Sequence, residues 1–289
     1  MKSGLNEMLV RAQGEHYAVA AFNILNHLTL SAVLEAAAQE KSPIIIQTSV
    51  TTVKALGPAA FAKMARTMIE AAPVPAVLHL DHCQDVDLCA RCCDLGWDSI
   101  MFDSSHLPFE ENIKTTQRVR RDARPKGVDV EGEVGIIAGT EDDISHAETS
   151  LAGYDETMRY IRETEVEAIA PAIGTAHGVY HGVPKINFEL VGKLAAGTPC
   201  PVVVHGGTGL EDATFRRLIE LGASKINIST ALKQVYVDAM RQYLTENSGT
   251  VNPLKLDRFV MDRVVAMVVP FLRLFGSSGK AEHTGGKAV

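Results

Sequence analysis

Several short apolar runs in this chain each finish in a residue able to do chemistry: Asn23, Gln47, Asp81 with His82, Asp103, Glu131 with Glu133, His177, His205, and Asn227 with Ser229. Packing gives no reason for apolar runs to end this way. Three neutral imidazoles brought to one place make a ligand set for a divalent metal, and carboxylates around them supply acid and base groups. His82, His177 and His205 are the candidate ligands. A single histidine at such a place is more often structural; three at run ends point to a site. The remaining histidines show no such pattern, and His79, on the strand face opposite Leu80, reads as a packed residue. Gly206-Gly207-Thr208-Gly209 follows His205 and leads into a helical pattern near Glu211. Bare amides at a helix start attract anions, and glycine lets a phosphate approach closely. Asn227-Ile228-Ser229-Thr230 offers further amides and hydroxyls for the same purpose.

Residues this far apart in sequence meet only if the fold gathers them. Periodicity predicts strands at Val19–Phe22, Ile44–Gln47, Ala76–Leu80, Ser99–Phe102, Val128–Glu131, Ala168–Ile173, Val202–His205 and Lys225–Ile228. Amphipathic stretches alternate with them. In Thr29–Lys41, the residues Leu30, Val33, Leu34, Ala37 and Ala38 share one face, and Pro43 stops the helix. In Glu211–Leu221 the face is Phe215, Leu218 and Ile219, with Gly222 as the stop. The alternation predicts an α/β chain folded as a single-domain (β/α)8 TIM barrel. Continuous apolar strands suit a parallel sheet buried on both faces. A doubly wound sheet competes, but no Gly-x-Gly-x-x-Gly follows the first strand. In a barrel all strand ends converge on one rim, and phosphate commonly sits after strands seven and eight. VLHLDH leading to LGWDSIMFD parallels VVVHGG leading to LGASKINIS, a repeat that sets His82 and His205 at equivalent strand ends. The domain is expected over residues 1–281, with 282–289 as a flexible tail; Gly, Ser and Lys enrichment begins near Gly276.

The 289 residues are 46% hydrophobic and 22% charged, which excludes disordered and fibrous classes. The longest apolar runs, such as Val264–Val269, fall far short of the ~20 residues a membrane span needs. The N-terminus lacks the unbroken apolar core of a secretory signal. Net charge is −7, and the basic cluster Arg118–Arg124 with Lys126 reads as a solvated helix face, so neither nucleic acid nor membrane is the expected partner. Five cysteines, three of them crowded at Cys89, Cys92 and Cys93, read as reduced thiols in a cytoplasmic protein. Cys89-x-x-Cys92 has metal spacing but no second pair, and Cys83 reads as a small packed residue beside His82.

At these residues the chain resembles the class II, zinc-dependent ketose-bisphosphate aldolases, and the tagatose type more than the typical fructose type. The motifs are HLDH (His79–His82), FDSSHLPFEENI (Phe102–Ile113), VEGEVG (Val130–Gly135), TEDD (Thr140–Asp143), AIGTAHGVYHG (Ala172–Gly182), HGGTGL (His205–Leu210) and KINIST (Lys225–Thr230). The resemblance runs from residue 1 to about 281. It implies that His82, His177 and His205 bind Zn2+, with Asp103 and Glu133 at alternate or second metal positions. It implies Asp81 as the acid serving the acceptor's carbonyl oxygen and Glu141 as the group exchanging the carbon proton. Gly178, Gly206, Gly207, Thr208, Asn227, Ile228, Ser229 and Thr230 would bind dihydroxyacetone phosphate. Ala176, Gly178 and Gly206 would offer carbonyls to a stimulating Na+ or K+.

The implied reaction is reversible cleavage of a ketose (bis)phosphate, a small-molecule sugar phosphate, to dihydroxyacetone phosphate and an aldehyde, without a lysine Schiff base. Departures from the family pattern are Thr208 for serine, Ser229 for aspartate and Ala231 for an acidic residue. Asn252–Met267 is dissimilar to the usual segment, leaving Lys54, Arg258 and Arg263 as candidates to hold the substrate's distal anion. The resemblance also implies a homodimer or homotetramer, with Ser229–Glu246 and Leu256–Phe275 as interface helices. Three other readings remain open: the same chemistry on another sugar aldehyde or sulfonated analogue, a non-catalytic aldolase-like subunit, and a barrel isomerase or epimerase.

Overall fold

The computed structural model describes residues 4–141, 144–146, 149–178, 184–249 and 251–283; for 140, 141, 144–146, 282 and 283 it describes the backbone alone. Eight parallel strands close a barrel in chain order: β1 (Val19–Asn23), β2 (Ile44–Ser49), β3 (Ala76–Cys83), β4 (Ser99–Phe102), β5 (Asp129–Val134), β6 (Ala168–Pro171), β7 (Val202–Val204) and β8 (Ala223–Ile228). Closure comes from β8 pairing with β1, Lys225 opposite Val19 and Asn227 opposite Ala21. Strand existence matches the periodicity throughout, while the ends differ. β3 continues past Leu80 to Cys83 and β5 past Glu131 to Val134, because residues that look like polar stops are buried inside the ring.

Side-chain alternation divides each strand between two environments. Phe22, Ile46, Leu80, Ile100, Val130, Ile169, Val204 and Ile226 face the surrounding helices. Val19, Ala21, Ile45, Val77, Met101, Ala168, Ala170 and Val203 point inward and pack on Leu5, Leu9 and Ala12 of the helix Leu5–Gly14, which floors the barrel. Above this floor the inward positions turn polar, with Gln47, His79, Ser99, Glu131, Lys225 and His205 all buried.

The helix His27–Glu40 begins at an Asn26–Thr29 capping box and ends with Lys41 left-handed at φ 48°. The helix Pro253–Leu274 packs against it and lies outside the strand ring. The segment after Gly276 is docked as far as Ala281: the Gly279 and Ala281 amides donate to the Glu40 and Lys41 carbonyls at 2.8 and 2.9 Å. Three side chains of the basic cluster are paired, Arg120 with Glu167, Arg124 with Glu165 and Lys126 with Asp94. All five cysteines are buried free thiols. Among the described residues no helix is long and apolar enough to cross a membrane.

Candidate active site

Regular alternation would send Asp81 into the barrel and His82 out of it. Instead the pairing of β3 with β4 shifts register between Leu80 and Cys83, and His82 takes a left-handed φ of 43°. This irregularity turns both side chains to the same rim. Asp81 is held by amides from two other strands: Asn23 Nδ2 donates to Oδ2 at 2.8 Å and Asn227 Nδ2 to Oδ1 at 3.3 Å. Gln47 Nε2 in turn donates to Asn23 Oδ1 at 2.5 Å.

The three histidines expected as ligands do converge. Ring centroids of His82 lie 4.9 Å from His177 and 4.6 Å from His205. One ring nitrogen from each falls within 4.8 Å of the others. His205 stands one residue past β7, where strand-end logic places it. His177 does not: β6 ends at Pro171, short of the expected Ile173, and the chain returns to the rim through Gly174 at φ 97°. There Ala176–His177 pairs with Ala138–Glu141, which also pairs with Ile144–His146. Gly139 opposes His177, and a Cβ at Gly139 would stand 2.1 Å from the His177 carbonyl oxygen, so only glycine fits.

Carboxylates surround His82. Asp103 Oδ2 is 3.0 Å and Glu133 Oε2 3.7 Å from its Nδ1. Burial disfavours the Asp103 anion, yet the His82 hydrogen bond and charge and the Ser105 donors hold its carboxyl below the ordinary range. Burial and the neighbouring Asp103 charge push Glu133 well upward, so the two carboxyls are shifted in opposite directions. His205 is lowered to about 3 by burial and by His82, which keeps its ring neutral and available as a ligand. His82, Asp103 and Glu133 form a second group able to hold a metal.

The glycine turn follows the expectation. Gly206 has φ 66°, and a Cβ on Gly207 would meet the Asn227 carbonyl oxygen at 2.7 Å. Thr208 Oγ1 accepts from the Ala231 amide at 3.4 Å, joining this turn to the start of the helix Thr230–Glu246. Gly178, at φ 87°, follows His177. Buried Gln47 Oε1, Asn227 Oδ1, Ser229 Oγ and Glu133 Oε2 make no hydrogen bond among the described residues. Orphan polar atoms gathered at one rim need a ligand, ion or water to satisfy them.

Glu141 closes the strand Ala138–Glu141, but its side chain, like Asp142 and Asp143, lies outside the described residues, as does 179–182 of the AIGTAHGVYHG motif. The distal-anion candidates are not brought together. Lys54 lies 3.7 Å from Asp85, Arg258 grips Glu35 and Asp262 on the outer helix layer, and the Arg263 guanidinium sits 4.8 Å over the Phe259 ring. Four site-forming residues carried no assigned role in the sequence: Asn23, Gln47, Glu131 and Lys225. Lys225 left one signal, a lysine inside an apolar strand.

The fold is a parallel barrel whose rim carries a donor set able to hold a metal ion. Three imidazoles are a zinc-type set, and one ring nitrogen of each lies within 4.8 Å of the others, with 2.8 Å between His205 Nδ1 and His82 Nε2. Comparison with known proteins narrows the class. Residues 3–280 match the family model of class II fructose-bisphosphate aldolase. The fructose-bisphosphate aldolase of Geobacillus stearothermophilus is 38% identical over 96% of this chain and 98% of its own. The sulfofructosephosphate aldolase of Alkalicoccus urumqiensis is 34% identical over 95% and 96%. The crystal structure of the YdjI aldolase from Escherichia coli K12 superposes with a TM-score of 0.87 at 33% identity, covering 97% of this chain and all (100%) of the other. The chain belongs to the class II fructose-bisphosphate aldolase family and is an aldolase, a carbon–carbon lyase.

Proposed function

We propose that the protein reversibly cleaves a ketose (bis)phosphate to dihydroxyacetone phosphate and an aldehyde, with His82, His177 and His205 holding Zn2+. The observation that carries this reading is the meeting of three imidazoles with a carboxyl, Asp81, whose two oxygens are fixed by Asn23 and Asn227. His82, His177 and His205 would hold the ion, which when bound would supply the Lewis acidity that polarises a ketone and stabilises charge on the carbon beside it. Asp81 takes the proton from the hydroxyl of the breaking carbon and returns it to the aldehyde oxygen in the synthetic direction. Asn23 and Asn227 restrict the carboxyl to one orientation, which shortens the search for the transfer geometry. Glu141 exchanges the proton on the three-carbon product. Gly206, Gly207 and Thr208 with Asn227 to Thr230 seat the phosphate. The amides of the glycine turn receive this anion locally, which reconciles phosphate binding with a net charge of −7.

The relatives' names span phosphate-bearing and sulfonate-bearing ketoses, so the distal group is the point at which this chain's substrate is open to choice. The five buried thiols suit a reducing cytoplasm, and the helices Thr230–Glu246 and Pro253–Leu274 are the surfaces through which copies would associate. A coupled assay for dihydroxyacetone phosphate tests the activity, using tagatose and fructose bisphosphates, ketose 1-phosphates and a sulfonated ketose phosphate. Release that a chelator abolishes and zinc restores is expected. No three-carbon product from zinc-loaded protein on any substrate refutes the proposal.

A further inference from the structure

Beneath the three imidazoles, a chain of fully buried polar groups crosses the barrel. Ser99 Oγ is 2.7 Å from His79 Nδ1, His79 Nε2 is 3.4 Å from Lys225 Nζ, and Lys225 Nζ donates to Glu131 Oε2 at 2.7 Å. The other oxygen of Glu131, Oε1, lies 2.8 Å from His205 Nε2. The remaining ring nitrogen of His205, Nδ1, faces His82 Nε2. Glu131 and Lys225 are both wholly excluded from solvent.

A buried lysine–glutamate pair contributes little net stability compared with apolar residues of the same size. Here the pair touches two imidazoles, His79 at Lys225 Nζ and His205 at Glu131 Oε1, and the second is a candidate ligand. We propose that Lys225 and Glu131 are positioning residues that fix the tautomer of His205. Lys225 saturates Oε2 and orients the carboxylate, Oε1 accepts the Nε2 hydrogen of His205, and the Nδ1 lone pair is left directed at the metal position. Carboxylates placed behind ligating histidines act in this way generally, and losing one weakens metal binding about 10–100-fold. The inference rests on the reading of His205 as a ligand.

Two double variants separate positioning from packing. In E131M/K225M both charges go and the volume stays, so the apoprotein should fold, but His205 loses its acceptor. In E131Q/K225M the amide oxygen still accepts from Nε2. Zinc dissociation constants from competition with a chromogenic chelator, with near-ultraviolet circular dichroism as the check on folding, give the readout. E131M/K225M should bind zinc about 10–100-fold more weakly than wild type, and E131Q/K225M, which keeps the acceptor but not the lysine that orients it, should fall between the two. Equal affinity in the two folded variants overturns the inference. NMR of the histidine ring nitrogens in zinc-loaded wild type needs no variant. Hydrogen on Nε2 and metal on Nδ1 of His205 supports the assignment, and the opposite tautomer overturns it. Wild type that binds no zinc defeats the ligand reading itself, and the inference with it.

Discussion

Asp81 and His82 are neighbours in the chain and in the site, although a regular strand would send them to opposite faces. The left-handed φ of His82 is the local strain that makes this possible, and the register shift against β4 accommodates it. Asp81 accepts hydrogen bonds from Asn23 and Asn227, so its removal takes the acid from the site and leaves two buried amides without that acceptor. Asp81→Ala should lose nearly all turnover in the coupled assay while metal analysis shows zinc retained; turnover near wild type would sink its role. Lys225 carries a different cost. Removing it alone leaves Glu131 buried without its cation, and breaking a buried pair from one side typically costs about 3–5 kcal/mol. Urea unfolding of Lys225→Met apoprotein should show a loss of that order, and a change below about 1 kcal/mol would mean that solvent or another group compensates Glu131.

At the scale of elements, the least expected device is the small sheet that carries His177. β6 stops at Pro171, so the third imidazole depends on Ala176–His177 pairing with Ala138–Glu141, and that pairing depends on Gly139. Gly139 has φ 106°, and an added Cβ would collide with backbone, which no rotamer change relieves. Gly139→Ala should therefore push the two segments apart and displace His177. The expected result is weakened zinc binding by chelator competition, with the thermal midpoint of the apoprotein little changed because this sheet lies outside the barrel core. Zinc affinity equal to wild type would show that His177 reaches the site by other restraints.

For the whole molecule, buried thiols give stability an alkaline limit. Burial pushes Cys92 and Cys200 up to about 12 and Cys93 to about 11, whereas an unfolded cysteine titrates near 8.5. Between these values the unfolded chain has released protons that the folded one keeps, so the unfolded state binds fewer protons and stability falls as pH rises. The contribution is complete below about pH 8.5 and is lost progressively toward pH 12. Urea midpoints should fall between about pH 8 and about pH 10.5, and thiol reagents should react slowly with native protein at neutral pH. A midpoint that holds or rises across this range would contradict the assignment.

The barrel was legible because parallel strands buried on both faces must read as apolar runs, and helices between them must be amphipathic. His82 and His205 were legible for a related reason: a charged or ligating group ending an apolar run has no packing explanation. The family motifs carried Asp81, the glycine turn and Asn227 to Thr230 in the same way, as residue types at fixed spacing. Sequence could not show which side of a strand a distorted residue faces, so both the inward turn of His82 and the detour that delivers His177 belong to tertiary structure. It could not show that Lys225, ordinarily a surface residue, pairs with Glu131 inside the ring, because that contact joins strands 94 positions apart. Nor could it show that Arg258 and Arg263, offered as anion holders, sit on a helix packed outside the strands, with Arg258 gripping Glu35. Residue type and spacing determine what chemistry a chain can carry. Which groups meet is decided by long-range pairing, whose partners leave no periodic trace in the chain itself.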